Sequence, residues 1–237
     1  MEQDRSRELA ERLAEVRDRI ADACGHARRS VDEVALVAVT KTFPVEDLET
    51  LVTLGVTDIG ENRDQEARAK HAASAHLQGV RWHFVGQLQT NKARSVAAYA
   101  DVVHSVDRLS LIRALGRAAT GAGRTVRCLL QVRFDPAPGP MGQRGGADPS
   151  ELPELAAAVA DEPALELGGV MGIPPLGADP RGFFERLRTV AVDLRRIHPE
   201  AHWISAGMSQ DFDIAIEYGA THVRVGRRLL GERPTRR

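Results

Sequence analysis

The chain has 237 residues, 43% hydrophobic and 27% charged, with a formal net charge of −1. This balance is ordinary for a globular protein and supplies no bulk attraction to nucleic acid or to an anionic membrane. Cys24 and Cys128 lie outside any CxxC pair, which excludes a disulfide framework and points to a reducing, cytoplasmic setting.

The opening stretch, MEQDRSRELAERLAEVRDRI, is rich in acids and lacks an apolar core, so it reads as neither a signal nor a transit peptide. No run approaches the roughly 20 apolar residues of a membrane helix. Leu9, Leu13, Val16, Ile20 and Ala23 recur at steps of four and three, which predicts an amphipathic helix within residues 1–30, packed on the rest of a single domain spanning 1–237. Short apolar runs and helical patterns then alternate. Val34–Thr40 reads as strand and Pro44–Leu54 as helix. Thr57–Gly60 is the next strand, with a helix from about Arg63. Trp82–Val85 precedes a helix at Asn91–Ala98, and Val102–Val106 precedes one at Leu109–Ala119 with Asp107 as its N-cap. Val126–Val132 is followed, after a break, by a helix near Glu151–Ala160. Leu167–Ile173 leads to the helix carrying Phe183, Phe184, Leu187, Val190 and Leu194. Trp203–Ala206, a helix at Asp211–Tyr218 and the strand His222–Val225 complete the series.

About eight strand–helix units imply a parallel sheet with helices outside, at the size of a (β/α)8 TIM barrel. A doubly wound open sheet is the alternative, but the GxGxxG expected after its first strand is missing. Phe134–Ser150, dominated by Gly and Pro, predicts an exposed mobile loop. It lacks the GK[ST] of a nucleotide-binding P-loop.

Barrels place their chemistry at the C-terminal strand ends. Those ends offer Lys41, then Gly60–Asn62, His83 with Gly86 and Gln87, His104–Asp107, Gln131 with Arg133, Met171 with Gly172, Ser205–Asp211, and Val223–Gly226. Two features matter. Gly207-Met208-Ser209 and Gly226-Arg227 put a glycine and a donor at the last two strand-to-helix turns, where barrels commonly bind phosphate. They are otherwise plain turn glycines. Lys41 closes a strand that reads as buried. A partly desolvated amine is nucleophilic and suits a Schiff base, unless it is paired to a carboxylate such as Glu61. A Schiff-base lysine with a phosphate site points to a phosphorylated aldehyde, which pyridoxal 5′-phosphate (PLP) fits. Arg224 shares a strand face with Gly226 and would donate to the pyridine nitrogen, opposing its protonation. A structural ion pair is the other reading. His26, His71, His76, His198 and His202 form no ligand set, and a metal site is not expected.

The segments AVTKTFP, GENRDQEA, WHFVGQLQTNK, HSVDR, GVMGIPP, SAGMSQDFDIAIEYGATHVRVG and LLGERP, in order from Leu36 to Pro234, resemble the pyridoxal phosphate homeostasis proteins. The resemblance implies a barrel like the N-terminal domain of alanine racemase (PLP fold type III), with an extra N-terminal helix. It implies PLP as a Schiff base on Lys41, phosphate at Ser209 and around Gly226 and Arg227, and Arg224 at the ring nitrogen. Asn62, His83 and Met208 match positions lining the pocket. Arg227 stands where relatives often have Thr, Ser or Ala, Arg63 where they often have an aromatic, and Arg144 where many have Lys. The implied role is a non-catalytic, monomeric PLP carrier in vitamin B6 homeostasis, with apo PLP-dependent enzymes as possible recipients. The alternative is a PLP-dependent racemase or decarboxylase of the same barrel type. Those enzymes add a C-terminal β-domain with a catalytic tyrosine, whereas this sequence runs only a short way past its last strand, and Tyr99 and Tyr218 read as lying on or after helices. A third reading, a metal-free barrel acting on a phosphorylated sugar through Lys41, leaves Arg224 unexplained.

Overall fold

Eight short strands alternate with helices and pair in chain order into a closed parallel ring. The computed structural model describes residues 2–134 and 145–232. Helix α1 (Glu2–Ala27) is followed by β1 (Ala35–Val39), α2 (Val45–Thr53), β2 (Asp58–Glu61), α3 (Asp64–Ala73), β3 (Arg81–Phe84), α4 (Ala93–Ala97), β4 (Val102–Val106), α5 (Leu109–Ala122), β5 (Val126–Val132), α6 (Leu152–Ala160), β6 (Leu165–Gly172), α7 (Arg181–Ile197), β7 (Trp203–Ser205), α8 (Phe212–Glu217), β8 (His222–Val225) and α9 (Arg227–Leu230). The pairing of β1 with β8 closes the barrel and sets Ala38 beside Val225. The first and last strand ends, far apart in sequence, thereby become neighbours.

Side chains alternate along each strand. Outward positions such as Ala38, Ile59, Val103, Leu130, Val170 and Val225 pack against the helices and join one continuous apolar core. A much smaller apolar cluster, Val102, Leu129, Met171 and Trp203, fills part of the interior. Much of the remaining interior is polar, with Asp58, His83, His104, Ser205 and Arg224 all buried. Helix α1 buries the expected Leu9, Leu13, Val16, Ile20 and Ala23. It is tied down by Arg5 to Asp47 (2.6 Å) and Arg19 to Asp213 (2.8 Å). Among the described residues no helix is long and apolar enough to cross a membrane.

Two local expectations need correction. Arg108, in extended conformation, holds the N-cap position of α5. Asp107 instead accepts the Gly146 N–H at 3.1 Å and pairs with Arg108. A carboxylate already committed to the chain beyond the neighbouring β5 does not turn back to cap its own helix. The Asn91–Ala98 helix divides into a 3-10 turn (Thr90–Lys92) and the short α4. Most of the expected mobile loop, residues 135–144 with Arg144, lies outside the described residues. Its return is fixed where Gln131 Nε2 donates to the Gly145 carbonyl at 2.6 Å.

Candidate functional site

Lys41 stands in the turn immediately after β1, half-buried at the C-terminal rim. The next residue, Thr42, adopts a left-handed backbone (φ 70°), unusual for a β-branched residue. That conformation is held from outside the barrel. Thr42 N–H donates to Glu66 Oε1. Lys70, on α3 and buried, donates to the Thr40 carbonyl (2.7 Å), Glu61 Oε1 (2.7 Å) and Glu66 Oε1 (2.8 Å). Thr40 Oγ1 also donates to Glu61, at 2.7 Å. Glu61 therefore faces outward and serves Lys70 and Thr40. Its carboxyl is pushed up by burial, an effect that the Lys70 charge and hydrogen bond oppose. Lys70 went unnoticed in the sequence because Glu66 and Lys70, four apart, look like an ordinary surface pair.

The last two strand ends form a cup. Gly207 has φ +86°, and a Cβ there would come within 2.7 Å of Phe212 Cα, so only glycine lets the turn fold onto α8. Asp211 Oδ1 accepts the Met208 N–H at 2.7 Å and fixes the Met208–Ser209 turn. Ser209 Oγ faces the Arg228 backbone N–H at 3.4 Å, and Arg228 Nε donates to the Ser209 carbonyl at 3.1 Å. Gly226 is the N-cap of α9, whose first N–H groups open toward the same region. The Arg227 side chain is 60% exposed and lies 3.9 Å from Glu232. Its backbone, not its guanidinium, belongs to the cup.

Arg224 is buried in β8. It donates through Nη1 to Ser205 Oγ (2.6 Å) and through Nη2 to the Gly172 carbonyl (3.0 Å). Burial lowers its pKa to about 10, partly offset by the Asp211 charge, so it remains a cation at neutral pH. Asn62, half-buried, continues the inward phase of Asp58 and Gly60. Gly86 packs on its backbone so closely that a Cβ would sit 2.1 Å from the Asn62 carbonyl oxygen. Met208 is half-buried in the cup turn.

His83 lies deeper, with both ring nitrogens engaged. Nε2 is 2.8 Å from Asp58 Oδ1 and Nδ1 is 2.8 Å from His104 Nε2. His104 Nδ1 is in turn 2.8 Å from Ser205 Oγ. Burial, reinforced by the neighbouring Arg224 charge, holds His104 well below its ordinary pKa. Burial alone would raise Asp58. The hydrogen bonds from His83 and the Thr57 hydroxyl, with the charge of Arg81, outweigh that and bring it to about 2. His222 stacks on Trp203 with ring centroids 3.9 Å apart, and burial lowers its pKa to about 3. The sequence reading assigned no role to Asp58 or His222 and left His104 and Ser205 as rim candidates. Their common signal is the inward strand phase that they share with Gly60, Arg224 and Gly207.

The donor set suits a phosphorylated aldehyde with a basic ring: an amine, a phosphate cup and a buried cation. The alanine racemase N-terminal domain family matches residues 12–234. The pyridoxal phosphate homeostasis protein of Mycobacterium bovis is 43% identical, covering 98% of this chain and 96% of that protein. PipY of Synechococcus elongatus, solved with PLP bound, superposes with a TM-score of 0.82 at 34% identity, over 94% of this chain and all (100%) of that one. Alanine racemase from Corynebacterium glutamicum shares the fold, with a TM-score of 0.69 at 15% identity over 96% of this chain and 62% of the enzyme. Family match, near-full-length identity and barrel geometry agree: the chain belongs to the alanine racemase N-terminal domain family and, within it, to the pyridoxal phosphate homeostasis proteins.

Proposed function

We propose that the chain binds PLP as a Schiff base on Lys41 and serves cytoplasmic vitamin B6 homeostasis as a monomeric, non-catalytic carrier whose recipients are apo PLP-dependent enzymes. The observation that carries this reading is the meeting of the Lys41 turn and the Ser209–Arg228 cup on paired strands β1 and β8 or next to them, with Arg224 buried beneath. The relatives named for PLP homeostasis and the PLP-bound PipY support it.

Each residue then has a task. Lys41 supplies the amine that joins the aldehyde, with loss of water. The Ser209 hydroxyl and the first N–H groups of α9 take the phosphate, with Gly226 and Arg227 contributing backbone. Asn62 and Met208 line the pocket, and His83 supports it from below. Bound PLP supplies an electron sink. Arg224, donating to the ring nitrogen, keeps that sink weak because a permanent cation opposes ring protonation. Racemisation also needs proton-transfer groups on two faces. Tyr99, after α4, is buried in the apolar layer between strands and helices, and Tyr218 is the C-cap residue of α8, so neither stands on a strand end.

The test is the absorption spectrum of the purified protein. A visible band that is lost in Lys41→Ala, with borohydride fixing the pyridoxyl group to Lys41 on peptide mapping, is expected. Labelling of another lysine, such as Lys92, overturns the assignment. Incubation with L-alanine, L-serine and L-lysine in deuterium oxide separates carrier from enzyme. Lys41-dependent α-proton exchange well above that of free PLP rules for a racemase.

A further inference from the structure

A continuous hydrogen-bonded chain crosses the barrel interior from Arg224 through Ser205, His104 and His83 to Asp58, every member no more than 6% exposed. Barrel interiors are normally filled by apolar layers. Five buried polar side chains in series are tolerable only if every donor meets an acceptor.

That requirement sets the direction of the chain. Arg224 can only donate, so Ser205 Oγ accepts from it. An ionised Asp58 can only accept, so His83 carries its hydrogen on Nε2. In a neutral ring His83 Nδ1 is then bare and must receive the His104 Nε2–H. His104 Nδ1 is bare in turn and must receive the Ser205 hydroxyl hydrogen. The opposite polarity needs one further proton, on Asp58 or on His83. It would also leave Ser205 accepting from both His104 and Arg224, with its own hydrogen undirected. The Asp58 end is already satisfied as a carboxylate: Thr57 Oγ1 donates to Oδ2 at 2.6 Å and Arg81 to Oδ1 at 3.2 Å.

We propose that Asp58, His83, His104 and Ser205 form a positioning relay for Arg224, with both histidines neutral, their hydrogens on Nε2, and all donation running from Arg224 toward Asp58. With its hydrogen committed to His104, Ser205 presents only lone pairs to Arg224 and fixes the guanidinium plane. Two of the five guanidinium N–H bonds are thereby committed, one to Ser205 and one to the Gly172 carbonyl. The relay deepens the proposed role of Arg224 at the cofactor ring but stands on the geometry of the chain itself.

The experiment uses ring-15N histidine-labelled full-length protein without added cofactor, at neutral pH. Long-range 1H–15N correlation should show His83 and His104 each with a protonated Nε2 and a bare Nδ1. A through-hydrogen-bond N–N coupling should link His104 Nε2 to His83 Nδ1 and identify the pair without any substitution. A hydrogen on Nδ1 of either ring, or a cationic His83, overturns the relay. In a second arm, protein loaded with ring-15N PLP compares wild type, Ser205→Ala and Ser205→Thr. Ser205→Ala should move the pyridine nitrogen shift and weaken binding about tenfold, and Ser205→Thr should restore both. Unchanged values in Ser205→Ala refute the positioning role. If PLP does not bind, the functional proposal fails while the tautomer result still decides the relay.

Discussion

Removing the Lys70 ammonium tests how the Lys41 turn is held. In Lys70→Met the buried Glu61 carboxylate loses its cation at 2.7 Å, and the Thr40 carbonyl loses a donor at 2.7 Å. Among the described residues Glu61 Oε2 already has no hydrogen-bond partner, so of these only the Thr40 hydroxyl would remain on that side chain. Breaking a buried ion pair by deleting one member costs about 3–5 kcal/mol. Glu61 limits the loss by taking up a proton, which gives the deficit a sign with pH. Its folded-state pKa, raised by burial even with Lys70 present, rises further without it. A group whose folded pKa exceeds its unfolded value loses its stabilising contribution as pH rises through the folded value. Urea unfolding should therefore show a larger deficit at about pH 8 than at about pH 5. Adding Glu61→Leu should recover much of it by removing the uncompensated charge. The turn also loosens. Loss of one hydrogen bond worth about 1 kcal/mol to the strand-end carbonyl should raise the PLP dissociation constant about fivefold. A deficit below about 1 kcal/mol that is equal at both pH values would refute the clamp.

Ser209→Ala should weaken PLP retention by about 1–3 kcal/mol, the scale of one hydrogen bond to a charged group. Arg227→Ala should leave it unchanged in equilibrium dialysis, because that side chain is 60% exposed and turned to Glu232. A clear loss there would put its guanidinium on the phosphate. Gly86→Ala forces a Cβ to within 2.1 Å of the Asn62 carbonyl and should destabilise by about 1–3 kcal/mol in thermal unfolding. A neutral result would mean that the Asn62 segment yields freely. The shift of Asp58 from 3.8 to about 2 corresponds to about 2.5 kcal/mol that is present above pH 4 and lost as pH falls toward 2. Acid titration of Asp58→Asn should show a stability deficit at neutral pH that shrinks over that window, and a deficit constant with pH would refute the assignment.

The order of strands and helices was legible in the sequence because each element carries its own period and its own punctuation. Val102–Val106, Val126–Val132 and His222–Val225 emerge with unchanged boundaries. The rim positions of Lys41, Ser209, Arg224 and Gly226 were legible as well, because each lies on or just after a strand whose own pattern marks where it ends. Partners contributed by distant elements were not. Asp107 has the composition of a helix cap, yet the Gly146 N–H from beyond β5 claims its carboxylate. Glu61 sits close to Lys41 in the counting of strand ends, but strand alternation turns it outward to Lys70. His104, Ser205, His83 and Asp58 belong to four strands, and nothing local distinguishes them from rim or core residues. Closing the ring at β1 and β8 sets their heights and directions together. The linear pattern determines which residues face inward. Only the register and shear of the closed barrel decide which of those meet, and so which buried charge answers which.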